Sequence, residues 1–194
     1  MASDSFVHLH VHSEYSMLDG AARITSMVQE AARLEMPAIA VTDHGNTFAA
    51  FEFYNAAKDV GINPIIGIEA YVTPGTHRSD KARVRWGSPE QVSDDVSGAG
   101  AYTHMTLLSE STEGMHNLFR LSSLASMEGY YFKPRMDREL LHKYSKGLIA
   151  TTGCPSGEIQ TRLRLGQYDA ARAAAAEFQD IFGKENYFAE IMDH

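Results

Sequence analysis

"FVHLHVHSEYSMLDG", residues 6–20, carries the signals from which the fold of the chain is read. His8, His10 and His12 alternate with Val7, Leu9 and Val11, and strict alternation puts the two sets on opposite sides of an extended strand. Imidazoles make a poor core but a good start to a metal site, since neutral imidazole is the commonest metal ligand. The turn after the strand matters as much. Open-sheet nucleotide-binding folds place a glycine-rich, phosphate-cradling turn there. This chain has "HSEYSMLDG" instead, so those folds are disfavoured.

Outward from that stretch, strand and helix alternate. Ile24, Met27, Val28 and Ala31 recur at helical spacing within 22–34, and Pro37 stops the helix. "AIAVTDHGN" (38–46) is a short apolar run ending in polar residues, as in a strand buried on both faces. Residues 47–59 place Phe48, Phe51, Tyr54 and Ala57 on a helix closed by Gly61. Further strands are predicted at 63–72, 101–110, 147–154 and 186–194, and further helices at 112–126, 156–165 and 168–182. Alternating βα units predict an α/β fold with a parallel sheet, and without a phosphate loop a barrel is favoured over an open sheet. Residues 73–100 break the rhythm as a polar surface insertion loop. Lys81, Arg83, Arg85 and Trp86 prompt a second reading of it, as a loop facing DNA or a partner.

Composition bounds the function. The 194 residues suit one domain with its own core, and the net charge of −8 argues against a protein that coats nucleic acid. Carboxylate ligands count toward that charge, so it does not argue against a metal site. No apolar run approaches the ~20 residues of a membrane span, and no leader precedes Phe6. The single cysteine, Cys154, cannot form an internal disulfide. The expected location is cytoplasmic.

The polar residues collect at the strand ends. His10, His12 and Asp19 follow from the first strand, Asp43 and His44 from the second, Glu69 from the third, His104 from the fourth and Cys154 from the fifth. In a parallel barrel these side chains meet at one rim, where such barrels keep their active sites. Singly each has a plainer reading. His44 and His104 serve as satisfied strand-end groups, Asp19 as a helix cap, and Cys154 as a small buried hydrophobe. Glu69 between Ile68 and Ala70 is the exception, because an unpaired buried carboxylate is costly and a cation would satisfy it. Convergence of five strands on one mouth is what favours metal chemistry. His8 is read as a hydrogen-bonding support behind the ligands, with Asp43 also in a supporting role. His77, His116 and His142 are read as surface or packing residues.

Together "HLHVHSEYSMLDG", "VTDHGN", "GIEAYV", "THMTLL" and "ATTGCPSG" resemble the polymerase and histidinol phosphatase (PHP) family over essentially the whole chain. Their spacing and "YYFKPRMD" are most similar to its branch at the N-terminus of bacterial replicative DNA polymerase III alpha subunits. The resemblance implies a distorted (β/α)7 TIM-like barrel holding two to three divalent ions, zinc or manganese. It makes His10 and His12 ligands of a first ion, Glu69 a bridge to a second completed by His104 and Cys154, and Asp19 and His44 ligands of a third. Glu69, Asp19 and His44 are the candidate catalytic residues. The family's last ligands, a D-x-H motif on a later strand, have no counterpart before residue 194. The chain is therefore expected to be a C-terminally truncated barrel without its polymerase modules. The terminal Asp193-His194 lacks the motif's spacing.

The implied activity is a proofreading 3′–5′ exonuclease acting on the 3′ end of a DNA primer. The implied partners are the polymerase modules of the same polypeptide, a sliding clamp and other replisome subunits. Tyr130, Tyr131, Lys133 and Arg135 are candidate DNA contacts through base stacking and phosphate binding, or else a loop packed on a neighbouring module. Two other activities stay open: a small-molecule phosphoesterase of the histidinol-phosphatase type, and a catalytically silent structural domain.

Overall fold

The strand Asn63–Val72 organises the rest of the molecule. The computed structural model describes residues 6–87 and 97–192. In chain order these hold α1 (Ile24–Arg33), β1 (Ala38–Val41), α2 (Ala50–Asp59), β2 (Asn63–Val72), β3 (Thr103–Ser109) and α3 (Thr112–Glu128). Next come β4 (Arg135–Met136), α4 (Arg138–Tyr144), β5 (Leu148–Thr151), α5 (Glu158–Arg164), α6 (Tyr168–Phe182) and β6 (Tyr187–Phe188). The strands form one mixed sheet in the order β1-β2-β3-β5-β6, with β4 paired to the end of β2. The architecture is α/β, with an open side between the N-terminal segment and β6.

β1 runs parallel to the first half of β2 and β4 runs parallel to its last residues. Between them an isolated parallel bridge joins His44 to Glu69. Residues 6–12 extend along the outer edge of β1, where the amide of Ala40 donates to the His8 carbonyl and that of Thr42 to the Val11 carbonyl. The step of two residues from Ala40 to Thr42 thus matches a step of three from His8 to Val11, and the Val11 amide turns to the Thr42 hydroxyl oxygen (2.8 Å). The expected first strand is extended chain with an interrupted ladder.

The all-parallel expectation is corrected by β3, which is antiparallel to both β2 and β5. Parallel neighbours need a crossover, usually a helix. No α-helix lies in the described residues between β2 and β3, and β3 returns along β2 from Val72 opposite Thr103 to Gly67 opposite Leu108. His104 consequently stands near the start of its strand rather than at its end. It still reaches the rim, because the strand is reversed.

Helices cover the sheet through their apolar faces. α1 buries Ile24, Val28 and Ala31. α2 buries Ala50, Phe53 and Ala57, whereas Phe48, Phe51 and Tyr54 are exposed, a correction to the face expected. Both sides of α2 are apolar, so spacing alone does not select the inner one. Complete burial of a side chain such as Phe53 contributes about 1.5–3 kcal/mol. Asp137 caps α4 by accepting from the Leu140 amide (3.0 Å). Neither α4 nor β4 stands out in the sequence.

Residues 73–87 form a loop, as expected, but one held against the body. The Arg78 guanidinium pairs with Asp137 (3.1 Å) and Glu128 (2.6 Å). Trp86 is buried under the Arg162 guanidinium, 4.7 Å from its ring centre, so it does not face outward. β6 is shorter than the strand expected over 186–194, and Asp193 and His194 lie outside the described residues.

Candidate metal centre

Glu69, with 1 % of its surface exposed, is the hub. Its Oε1 lies 2.9 Å from His104 Nδ1 and 3.5 Å from His10 Nε2. Its Oε2 lies 2.5 Å from His44 Nδ1 and 3.2 Å from His12 Nε2. Backbone pairing produces this arrangement. The Glu69 amide donates to the Asp43 carbonyl and the Gly45 amide to the Glu69 carbonyl, which sets His44 beside Glu69. The His104 amide donates to the Ser156 carbonyl, which brings the turn carrying Cys154 alongside. Cys154 Sγ is 3.6 Å from His104 Nδ1.

Asp19 is not a helix cap, since α1 begins after Arg23 without a side-chain cap. Its carboxylate accepts from His44 Nε2 (2.7 Å) and lies 3.7 Å from His12 Nδ1. Asp43 supports the loop that carries Asp19, accepting from the Ser13 amide and the Ser13 and Ser16 hydroxyls, each at 2.7 Å. The Ser16 oxygen in turn accepts from the His44 amide (3.1 Å). Gly45 makes the turn after His44 at φ +65°, and a Cβ there would come within 2.8 Å of the Tyr71 ring.

Burial pushes the Glu69 carboxyl up, but bonds from four histidines outweigh it and hold it far below the usual carboxylate range. Burial pulls His10 down, yet its bonds to Glu190 and Glu69 prevail and raise it to about 9. His44 is raised in the same way by Glu69 and Asp19. The Cys154 thiol is pushed up to about 12, chiefly by burial and then by Glu69. Three overlapping groups bring one ligand atom per residue within 4.8 Å of one another: His10–His12–Glu69, His44–Glu69–His104 and His12–Asp19–His44. His44 Nδ1 and Glu69 Oε2 are buried against each other at 2.5 Å, and neither makes a well-formed hydrogen bond to any other group. Buried polar atoms without a well-formed hydrogen bond cost about 1–3 kcal/mol each, and a cation taking both as ligands, the two atoms moving apart to admit it, would satisfy them. The mixed nitrogen and oxygen donors fit a divalent metal ion.

Most sequence-derived candidates therefore meet, with some regrouping. His44 joins His104 and Glu69, and Cys154 stands beside that group but in none of the three. His8 does not support the ligands. It is exposed and packs edge-on against Phe6, 4.8 Å between ring centres, because the slipped pairing with β1 turns it away. Arg135 is no DNA contact. It is 1 % exposed and donates to the carbonyls of Gly129, Ala101, Arg78 and Asp80. Tyr131 is half-buried against Arg135, 5.1 Å from its guanidinium. Tyr130 and Lys133 do line a cavity of about 480 Å³ that opens over Asp19, His44 and His104.

Phe132 lines the same cavity, and nothing in the sequence singles it out. It is exposed with φ +62°, a conformation unusual for a bulky residue. Glu190 is likewise absent from the sequence-derived set. Its Oε1 accepts from His10 Nδ1 at 2.6 Å, across the open side of the sheet.

A family model described as the PHP domain matches residues 8–194. The chain belongs to that family. This PHP domain is 62 % identical over 201 residues to DNA polymerase III subunit alpha of Saccharopolyspora erythraea, covering 100 % of this chain and 17 % of that protein. The Mycobacterium tuberculosis protein of the same name is 59 % identical over 194 residues, covering 100 % and 16 %. That of Deinococcus radiodurans is 44 % identical, covering 97 % and 14 %. The PHP domain thus spans under a fifth of these curated relatives. Among solved structures, an amidohydrolase from Chromobacterium violaceum is 15 % identical with a TM-score of 0.48, covering 94 % of this chain and 84 % of that one. No helix among the described residues is long and apolar enough to cross a membrane.

Proposed function

We propose that this PHP domain is a metal-dependent 3′–5′ exonuclease, proofreading the primer 3′ end as part of a cytoplasmic bacterial replicative DNA polymerase. The reading rests above all on Glu69, a fully buried carboxylate ringed by four imidazoles. His10, His12 and Glu69 would hold one divalent ion, His44, His104 and Glu69 a second with Cys154 adjacent, and His12, Asp19 and His44 a third. Zinc or manganese suits these donors better than magnesium, which prefers oxygen. Such ions supply Lewis-acid activation of water and offset the charge that develops on phosphorus.

The chain's own residues do the rest. Glu69 fixes the separation of two positions by serving both through one carboxylate. Asp19, more than half exposed and facing the cavity, is placed to take a proton from an entering water. Tyr130 and Phe132 offer aromatic faces for a terminal base, and the Lys133 ammonium, 5.4 Å from the Tyr71 ring centre, offers a phosphate contact. The relatives' printed names support the polymerase context. Polymerase modules of the same polypeptide, a sliding clamp and other replisome subunits are the partners that context implies.

The test is 3′-end degradation of a mismatched primer by the longest native polypeptide carrying these residues, with manganese or zinc added, beside Glu69→Ala. Metal-dependent degradation lost in the variant supports the reading. Turnover of phosphomonoesters alone would replace it with a small-molecule phosphatase. Bound metal without turnover of either would leave a structural centre.

A further inference from the structure

Glu190 lies two residues past β6, 180 positions from His10, yet the two side chains meet at 2.6 Å. The placement comes from the end of β5. The Thr152 amide donates to the Phe188 carbonyl, and the Glu190 amide donates to the Thr152 hydroxyl oxygen (3.0 Å). Both carboxylate oxygens of Glu190 are then occupied by protein. Oε1 accepts from His10 Nδ1, while Oε2 accepts from the hydroxyls of Thr106 (3.1 Å) and Thr151. With its oxygens satisfied, Glu190 has no free donor to offer an ion.

What it does instead is settle which nitrogen of His10 keeps its proton when the ring gives one up to an entering ion. An ionised carboxylate only accepts, so a hydrogen bond to it requires N–H at Nδ1. The other neighbour of Nδ1, the Thr106 oxygen at 3.1 Å, already spends its proton on Glu190. Both neighbours of Nδ1 are therefore acceptors. Nε2 is left to face Glu69 Oε1 at 3.5 Å, on the side where His12 and Glu69 gather.

We propose that Glu190 is the positioning residue of the metal centre, holding His10 with Nδ1 protonated so that Nε2 is the ligand atom. The inference rests on the metal-centre reading above. It adds that a carboxylate from the far edge of the sheet, outside the donor groups, sets the affinity of the His10–His12–Glu69 group. Partners of this kind are worth 10–100-fold in metal affinity.

The experiment is calorimetric titration of the longest native polypeptide carrying these residues, stripped of metal, with zinc sulfate, for wild type, Glu190→Ala and Glu190→Gln. It is paired with detection of the His10 Nδ1–H proton by nitrogen-15 NMR on the zinc-loaded protein. Expected is about 10–100-fold weaker binding at one site in Glu190→Ala, with the other sites unchanged and the Nδ1–H signal lost to exchange. Glu190→Gln keeps an oxygen that accepts from Nδ1–H, and should recover much of the affinity and the signal. Equal affinity in all three proteins overturns the proposal. So does equal loss in the Gln and Ala variants, or a wild-type spectrum with Nδ1 bound to zinc. A wild type that binds no zinc at all overturns the metal-centre reading itself, which separates the two failures.

Discussion

Glu69→Gln is the perturbation for which the structure sets a magnitude. The two oxygens of Glu69 face different pairs of histidines, Oε1 toward His10 and His104 and Oε2 toward His12 and His44. One carboxylate therefore serves two of the three ligand groups. An ion present at about 100 times its Kd stabilises the folded chain by ~2.7 kcal/mol, so two ions stabilise by roughly 5 kcal/mol. For a chain of this size each kcal/mol moves Tm by about 2–4 °C, which makes the metal-dependent increment about 10–20 °C. Gln keeps the shape but loses the charge and one acceptor, and the share of the increment due to these two ions should nearly vanish. Asp19 belongs to a single group and is largely exposed, so Asp19→Asn should keep more than half of it. The assay is thermal unfolding followed by circular dichroism, in chelator and with manganese or zinc. An undiminished increment in Glu69→Gln, or equal losses in the two variants, would refute the shared-carboxylate geometry.

The same network and the loop beside it yield two further outcomes. His10 is raised from 6.5 to about 9, so at pH 7 the metal-free site is protonated there and an entering ion must displace that proton. Metal affinity should rise between pH 6.5 and 9 by up to about tenfold per unit per proton released, then level off, as read by calorimetry in buffers of different ionisation enthalpy. The linkage runs the other way for the metal-free chain: the His10 contribution to stability is complete below pH 6.5 and is lost as pH rises through about 9. Arg135→Leu strips partners from the carbonyls of Gly129, Ala101, Arg78 and Asp80 and should cost ~3 kcal/mol or more in urea unfolding. Lys133→Ala should stay within ~0.5 kcal/mol of wild type and weaken DNA binding instead, reducing its salt slope by about one. If the two variants exchange these effects, the assignment of Arg135 to the framework and Lys133 to the cavity is wrong.

The candidate ligands are legible in the sequence because each announces itself locally. Alternation marks His10 and His12, a polar end to an apolar run marks His44, and a carboxylate inside a buried strand marks Glu69. None of these signals depends on strand direction, which is why His104 reads as a rim residue despite the reversal of β3. The reversal itself is readable in principle, since residues 73–100 carry no helical period to support a crossover. The inner face of α2 is not, because Phe48, Phe51 and Phe53 are equally apolar and only the position of β2 selects Phe53.

Arg135 and Glu190 escape for a deeper reason. A charged residue in a polar stretch reads as solvated unless its partners are known, and theirs are remote. Arg135 is satisfied largely by carbonyls of the loop between β2 and β3, whose irregular path no propensity describes. Glu190 is satisfied by His10 and two threonines from other strands, and these meet only when the sheet curls far enough to bring its edges together. Its role is thus a property of curvature rather than of motif. The same bond that orients a ligand also ties the first extended segment to the end of β6. If Glu190 orients His10 as proposed, metal affinity at His10 and closure of the open side are one coupled equilibrium, and a change that loosens either should weaken the other.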